Sequence, residues 1–351
     1  MSEIKALKQK LDVSNMYNAI AGFPGQIKTA FSIMGNWSPN HEYLNINNIL
    51  ILGMGGSAIG GDVTRVLIQN ECGVPILVNR SYNIPKWVDE KTLVLASSYS
   101  GNTEETLSAF DQCKQAGAKT IAMTTGGKLK ELAIECGLDC TLLPSGLQPR
   151  AALGLSVSLT LIILNKLGFS SDEIIEELYF SFEELTRLCD ELSKCDDENP
   201  AVIMANEIHS MCPIIYGSED LTWVAALRFR GQLEENAKML AFHHSIPEQN
   251  HNEFEGWSCH PDLLATKCII WLKDKDDHPC SLARMEVAKE LLDAQAGKQV
   301  EIAEKGRSPL IRLLKMIHFI DWVSYYAALL NNVDPTPVER ITKLKEEMAK
   351  Q

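Results

Sequence analysis

Short apolar runs recur along the chain at regular intervals and predict strands. From Asn48 onward they read "ILILGMG", "VPILVN", "TLVLASS", "KTIAMTT" and "CTLLP", separated by amphipathic stretches. Such runs, spaced by roughly 20 to 26 residues, leave room for a crossover helix between parallel neighbours. The pattern returns with "CPIIYGSED", "KMLAFHHS", "TKCIIWLKD" and "QVEIAEKG", separated by stretches such as "SLARMEVAKELLDAQ" that have helical periodicity. Both halves open with an apolar strand running into Gly and Ser and then a helix, "ILILGMGGSAIGG" against "PIIYGSEDLTWVA", a weak internal duplication. The expected fold class is α/β: two doubly wound subdomains, each a parallel sheet flanked by helices, plus N- and C-terminal helices.

Between the halves, "RAALGLSVSLTLIILNKLGF" and "SDEIIEELYFSFEELTRLCDEL" predict helices, followed by the charged "KCDDENPA". The expected division is an N-terminal helical segment (1–47), a first subdomain with its following helices (48–193), a linker (194–201) and a second subdomain with C-terminal helices (202–351). "IRLLKMIHFIDWVSYYAALL" predicts a long buried helix, "DPTP" ends it, and "VERITKLKEEMAK" predicts a final solvated one.

Composition supports this division. The 351 residues suit two domains of about 150 residues, and 45% hydrophobic content lets each bury a core. Net charge −13, from 33 basic and 46 acidic residues, argues against non-specific binding to nucleic acid or an anionic membrane. An anionic substrate therefore needs a local electropositive pocket. The longest apolar run, Leu153 to Leu164, falls short of the roughly 20 residues of a membrane span and reads as a buried helix. The N-terminus lacks the apolar core of a signal peptide. Ten cysteines without C-x-x-C spacing are expected to be reduced thiols of a cytoplasmic protein.

Two loops carry the clearest chemistry. "GMGGSAIGG" (Gly53 to Gly61) follows a strand and opens a helix, so backbone N–H groups can meet an anion, with Gly55, Gly56 and Ser57 allowing close approach. A dinucleotide fingerprint competes: Ala58 takes the third glycine position and no acid follows the second strand, but Arg80 suits a 2′-phosphate. A purely structural glycine turn is a further reading. "SSYSGNTEET" (Ser97 to Thr106) follows the third strand and offers Ser98, Ser100 and Thr103 around the flexible Gly101 at a helix start, a setting suited to a phosphate monoester. Arg150 begins an apolar helix, either as a surface ion-pair partner or as a cation aimed into the site. Glu234 and Glu235 lie on an expected helix whose apolar neighbours Leu227, Leu240 and Ala241 suggest partial burial. Burial raises a carboxyl pKa and suits it to moving a carbon-bound proton; a solvated helix face is the competing reading.

In order, "GMGGSAIGG", "SYSGNTEET", "GLQPRAALG", "LRFRGQLEENAK", "HNEFEGW" and "DPTPVERITKLK" resemble the motifs of the sugar isomerase (SIS) domain superfamily, specifically its bifunctional phosphoglucose/phosphomannose isomerases. The resemblance covers nearly the whole chain. It implies two SIS subdomains, an aldose–ketose isomerisation of hexose 6-phosphates without metal or cofactor, and a homodimer with active sites near the subunit interface. The apolar helices after Arg150 lend that dimer physical support. The resemblance assigns phosphate binding to Ser57, Ser98, Ser100 and Thr103, with Gly55 and Gly56 lining the site. Glu235 is implied as the base that works through a cis-enediolate, Arg150 as the cation that stabilises it, and His251 as the acid/base of ring opening. Lys345 is implied as an assisting lysine, with Lys343 close to the same register. Glu234 and the "DLTW" segment depart from the expected pattern.

Other readings compete. His243, His244, His251, Cys259 and His260 lie within a short stretch, but adjacent histidines rarely converge on one tetrahedral ion and the spacing matches no common zinc pattern. A non-catalytic phosphosugar-binding regulator needs the Ser/Thr loop but neither Glu235 nor His251. An isomerase for another sugar phosphate needs the same loop, because a phosphate cradle does not specify the sugar.

Overall fold

The computed structural model describes residues 3–348 and 350. Three helices precede the first strand: α1 (Glu3–Leu11), α2 (Met16–Ala21) and α3 (Phe23–Met34). There follow β1 (Asn48–Leu52), α4 (Gly55–Ile68), β2 (Ile76–Asn79), β3 (Thr92–Ser97), α5 (Glu104–Gln115), β4 (Lys119–Thr124), α6 (Gly127–Glu135) and β5 (Asp139–Leu142). Two long helices, α7 (Leu153–Lys166) and α8 (Asp172–Leu192), lead to α9 (Pro200–Ile208). The second series is β6 (Cys212–Ser218), α10 (Trp223–Glu235), β7 (Phe242–Ile246), α11 (Pro261–Leu264), β8 (Lys267–Lys273), α12 (Pro279–Leu292), β9 (Lys298–Ala303), α13 (Pro309–Leu330) and α14 (Glu339–Met348). All nine expected strands form, in two parallel sheets. The chain divides into two compact units: one spans Gly22–Thr186 with Ser308–Ile311; the other runs up to Ala21 and resumes over Arg187–Arg307 and from Arg312 onward.

In the unit spanning Gly22–Thr186, the sheet order is β2-β1-β3-β4-β5, with Ile51 paired to both Val78 and Leu95. β3 is buried throughout, as a strand covered on both faces must be. Leu50, Leu52, Val94, Ala96 and Ala122 form a core with Phe110 of α5 and Leu129 of α6. α4 approaches closely because it carries glycines: a methyl group at Gly60 would overlap Ser156 of α7, and one at Gly61 would stand 2.9 Å from Ile51 Cγ2. α7 is buried from Leu153 to Leu164, so its apolarity is satisfied within its own chain and does not provide the expected dimer surface. The Gln26 side chain serves the start of that helix, its Nε2 donating to Ala151 O at 2.6 Å and its Oε1 accepting from Leu155 N at 3.1 Å.

The other unit has the sheet order β7-β6-β8-β9. Tyr216, Ile269 and Trp271 pack with Met285 and Leu292 of α12 and with Trp257. The first helices belong here because the Asp12 carboxylate accepts from Met16 N at 2.6 Å, Tyr17 N at 2.9 Å and Tyr325 OH at 3.0 Å. Tyr17 then packs edge-on against Trp322 of α13, ring centroids 5.0 Å apart. By length and hydropathy α13 could cross a membrane, but 89% of its apolar window is buried inside the protein, as in a core helix.

Asp277, 3% exposed, lies after β8 and accepts from Asp274 N at 2.9 Å. Burial, opposed by that hydrogen bond and reinforced by the charges of Asp274 and Asp220, pushes its carboxyl pKa from 3.8 to about 7. The native state thus prefers the proton more than the unfolded chain does. The favourable contribution is complete below the unfolded value and is lost as pH rises through about 7. Asp277→Asn, which keeps the neutral shape, should therefore gain thermal stability over wild type as pH rises, reaching several degrees above neutrality and little in acid. Melting curves across that pH range check this, and a pH-independent difference would contradict it.

Candidate active site

Two loops leave adjacent strands at the carboxyl edge of the first sheet, where Leu52 of β1 is paired with Ala96 of β3. β1 feeds β2 on one side and β3 feeds β4 on the other, so the loops diverge and leave a crevice, the usual ligand position in open α/β sheets. After β1 the chain turns through Gly55, φ +49°, into α4, with Ser57 9% exposed and no side chain capping the helix. After β3, Ser98 is buried and its hydroxyl donates to Thr103 Oγ1 at 2.9 Å while accepting from Gly101 N at 3.1 Å. Ser100 Oγ accepts from Asn102 N at 3.3 Å. Gly101 has φ +71°, and any Cβ there would overlap Gly126 O, so only glycine fits this turn. Thr103 is the N-cap of α5, but its side chain does not cap it, which leaves first-turn N–H groups available to an anion.

Arg150 lies in a single turn of 3-10 helix, Pro149–Ala151, and is 4% exposed. It adjoins the glycine loop: a Cβ on Gly56 would stand 2.7 Å from Pro149 O and 3.4 Å from Arg150 Cα. Tyr99 links the other loop to the same segment, donating to Pro144 O at 2.9 Å and accepting from Leu147 N at 3.1 Å. The fold therefore gathers Gly55, Gly56, Ser57 and Arg150 on one side, and Ser98, Ser100 and Thr103 on the other. Arg80, considered above for a 2′-phosphate, is instead ion-paired with the buried Asp62.

The remaining candidates belong to the other unit. Glu235 is the last residue of α10 and half-buried. Glu234 forms a loose ion pair with Arg230 at 3.7 Å, and its pKa is raised chiefly by burial. Of the apolar neighbours expected around the pair, Ala241 is buried but Leu240 is 65% exposed, because the helix has already ended. His251 closes a 3-10 turn, Glu248–His251, and is exposed. Its loop is anchored from the sheet: Tyr216 OH donates to Glu253 Oε1 at 2.6 Å and accepts from Trp257 Nε1 at 3.0 Å. Asn252 adds bonds to Glu248 Oε1 at 2.8 Å and from Glu253 N at 2.6 Å. The anchoring role of Tyr216, Glu253 and Trp257 is not evident from sequence, since Tyr216 is 37 positions from its partner.

His243 and His244 are residues of β7. Burial, then the nearby charges of Arg230 and His244, pull the His243 pKa down to about 4, and His244 Nδ1 accepts from Ser245 N at 2.8 Å. Among the described residues no group of three or more His, Cys, Asp or Glu side chains is arranged to hold a metal ion. Lys343 and Lys345 both lie on α14, whose described residues are exposed throughout. Lys343 lines an open groove with Glu339, Glu346 and Glu347; Lys345 lies outside it.

Family models agree with both halves of this description: the SIS domain matches residues 42–143, and the bacterial phospho-glucose isomerase C-terminal SIS domain matches residues 197–348. A bifunctional phosphoglucose/phosphomannose isomerase of Caldicellulosiruptor bescii is 41% identical over 340 residues, covering 95% of this chain and 99% of that protein. A D-glucosamine-6-phosphate 4-epimerase of Sulfolobus acidocaldarius is 36% identical over 240 residues, 68% of this chain and 73% of that one. The fold is shared with the C-terminal domain of glucosamine-fructose-6-phosphate aminotransferase from Francisella tularensis, at TM-score 0.67 and 14% identity, covering 92% of this chain and 97% of that one. With two SIS-type sheets, one crevice of hydroxyls and open amides, and near-complete coverage of a relative at this identity, the chain belongs to the family of bifunctional phosphoglucose/phosphomannose isomerases.

Proposed function

We propose that the protein is an enzyme that interconverts glucose 6-phosphate and mannose 6-phosphate with fructose 6-phosphate. The observation that carries this reading is the crevice at β1 and β3, where the buried Ser98 hydroxyl, the Thr103 hydroxyl and an uncapped helix start are held together beside a loop packed on the Arg150 turn. Such a crevice takes a phosphate monoester by hydroxyls and backbone amides. The relative from Caldicellulosiruptor bescii supports hexose phosphates as the substrate class.

In this reading His251 moves a proton from the anomeric hydroxyl to the ring oxygen, opening the sugar, with Lys345 assisting. Glu235 then removes the proton from carbon 2, and the electron pair moves into an enediolate whose negative charge on oxygen is met by Arg150. Return of the proton to carbon 1, with the proton of the carbon 2 hydroxyl passing to the oxygen on carbon 1, gives the ketose; its return to carbon 2 from either face gives either aldose. No electrons leave the substrate, so the reaction needs no redox partner. The burial of Arg150 supports its role, because a fixed cation shielded from water stabilises developing charge more than one in solvent. The phosphate is held by Ser57, Ser98, Ser100 and Thr103, with Gly55 and Gly56 as lining.

The same reading makes the protein a cytoplasmic homodimer with active sites near the subunit interface. Ile341, Leu344 and Met348 support the dimer: they lie on one face of α14 and are 42%, 62% and 49% exposed. Free cysteines support the location. A mass measurement in solution should give twice the chain mass of 39.0 kDa.

Glu235→Gln should lower kcat for both aldoses by about a hundredfold or more, the scale of general-base catalysis. The assay follows fructose 6-phosphate conversion alongside glucosamine 6-phosphate, the substrate class of the epimerase relative. Absence of turnover in wild type and variant alike would favour a phosphosugar-binding regulator, and turnover of glucosamine 6-phosphate alone would favour epimerisation. His251→Ala should impair cyclic glucose 6-phosphate at least about tenfold more than an analogue locked open, because ring opening is the step it serves. Equal losses on both would remove that role.

A further inference from the structure

α10 bears Arg228 and Gln232, and its C-cap Asn236 continues their spacing of four, all three at most 4% exposed. That spacing forms one stripe on the helix surface, and α13 answers it with Asp321 and Ser324, also buried. Arg228 donates to Asp321 through Nε at 2.9 Å and Nη2 at 2.6 Å, in a two-point grip. Gln232 Nε2 donates to the same Oδ1 at 2.9 Å. Asn236 Nδ2 donates to Ser324 Oγ at 2.9 Å, and that hydroxyl donates to Asp321 O at 2.7 Å. Just past the helix, Asn331 Nδ2 reaches Ala237 O at 3.0 Å. Lys238, at φ +57°, folds back to donate to Glu235 O at 2.6 Å.

A buried ion pair with its attendant polar groups is weak as a source of stability, because desolvation offsets most of the attraction. What such a ladder does supply is a single geometry: each rung fixes both the rotation of α10 about its axis and its position along it. Glu235 lies about 20° around the axis from Arg228, by the helical rotation of about 100° per residue. It is therefore on the edge of the stripe, one residue before the last rung, where a free helix end would fray.

We propose that the Arg228–Gln232–Asn236 ladder on Asp321 and Ser324 is a positioning device for the Glu235 carboxylate. This rests on the reading of Glu235 as the base. The ladder residues are buried and spend their side chains on Asp321 and Ser324; they hold the end of α10 so that the carboxylate meets the carbon-bound proton in one orientation. Displacements on the scale of an ångström cost proton transfer heavily even when binding is unaffected.

The test uses the full-length enzyme and the variants Asn236→Ala, Ser324→Ala and the double variant. The readouts are kcat and KM for glucose 6-phosphate and the primary isotope effect with deuterium at carbon 2. Each single variant should lower kcat about tenfold, leave KM within about twofold, and raise the isotope effect as proton abstraction becomes more rate-limiting. The double variant should be no worse than either single one, because both remove the same rung. Ile208→Val on α9, a core truncation off the ladder, should lower the melting temperature while leaving kcat and the isotope effect unchanged. If the ladder variants keep a wild-type isotope effect while Glu235→Gln is inactive, the positioning role alone falls. If Glu235→Gln turns over normally, the base assignment falls and the ladder's role with it.

Discussion

A parallel strand can hand the chain on to only one side, and this constraint shapes the rest of the first unit. Because β1 is followed by a strand on its left and β3 by one on its right, their loops part at the carboxyl edge. Nothing in the sheet then fills the gap. Two helices begin there without side-chain caps, which leaves N–H groups of their first turns open to a ligand. Gly101 is required because Gly126 O occupies the place of a side chain, and Gly60 lets α4 lie against α7. The glycines are thus conditions for the loops to meet the crevice edge, more than signs of flexibility.

The second sheet repeats the topology with a different outcome. Its order β7-β6-β8-β9 puts the parting of loops between β6 and β8. There the Asp220 carboxylate accepts from Ser218 Oγ at 2.8 Å and from His278 N at 2.9 Å, just ahead of α12. Close by, Asp274 is gripped by Arg312 through Nε at 2.6 Å and Nη2 at 2.8 Å. At this edge of the second sheet the chain's own side chains pair with one another, an arrangement that the weak internal repeat in the sequence does not reveal.

Much of this is legible in the sequence because burial on both faces of a parallel sheet leaves continuous apolar runs, and all nine produced strands. The phosphate-type loops are legible for the same reason, since each directly follows such a run. Long-range polar bonds are not. Asp12 meets Tyr325 across 313 positions, so the first two helices join the C-terminal half, against any reading by proximity in sequence. The rungs Arg228, Gln232 and Asn236 have the spacing of a solvated helix face, and only the presence of Asp321 and Ser324 makes that face an interior one. His243 and His244 resemble ligands in the sequence but are strand residues, the first kept neutral by burial.

The hydroxyls of the first crevice have a consequence for pH. A hydroxyl rotates, donating to an ionised oxygen or accepting from a protonated one, and Ser98 already does both with its neighbours. A phosphate monoester changes charge near pH 6. The hydroxyls adjust to either form by turning their O–H bonds, whereas the backbone N–H groups of the helix starts only donate and favour the more negative one. In the proposed reaction the anchoring hydroxyls follow the charge of the phosphate without titrating themselves, and proton movement is left to Glu235 and His251.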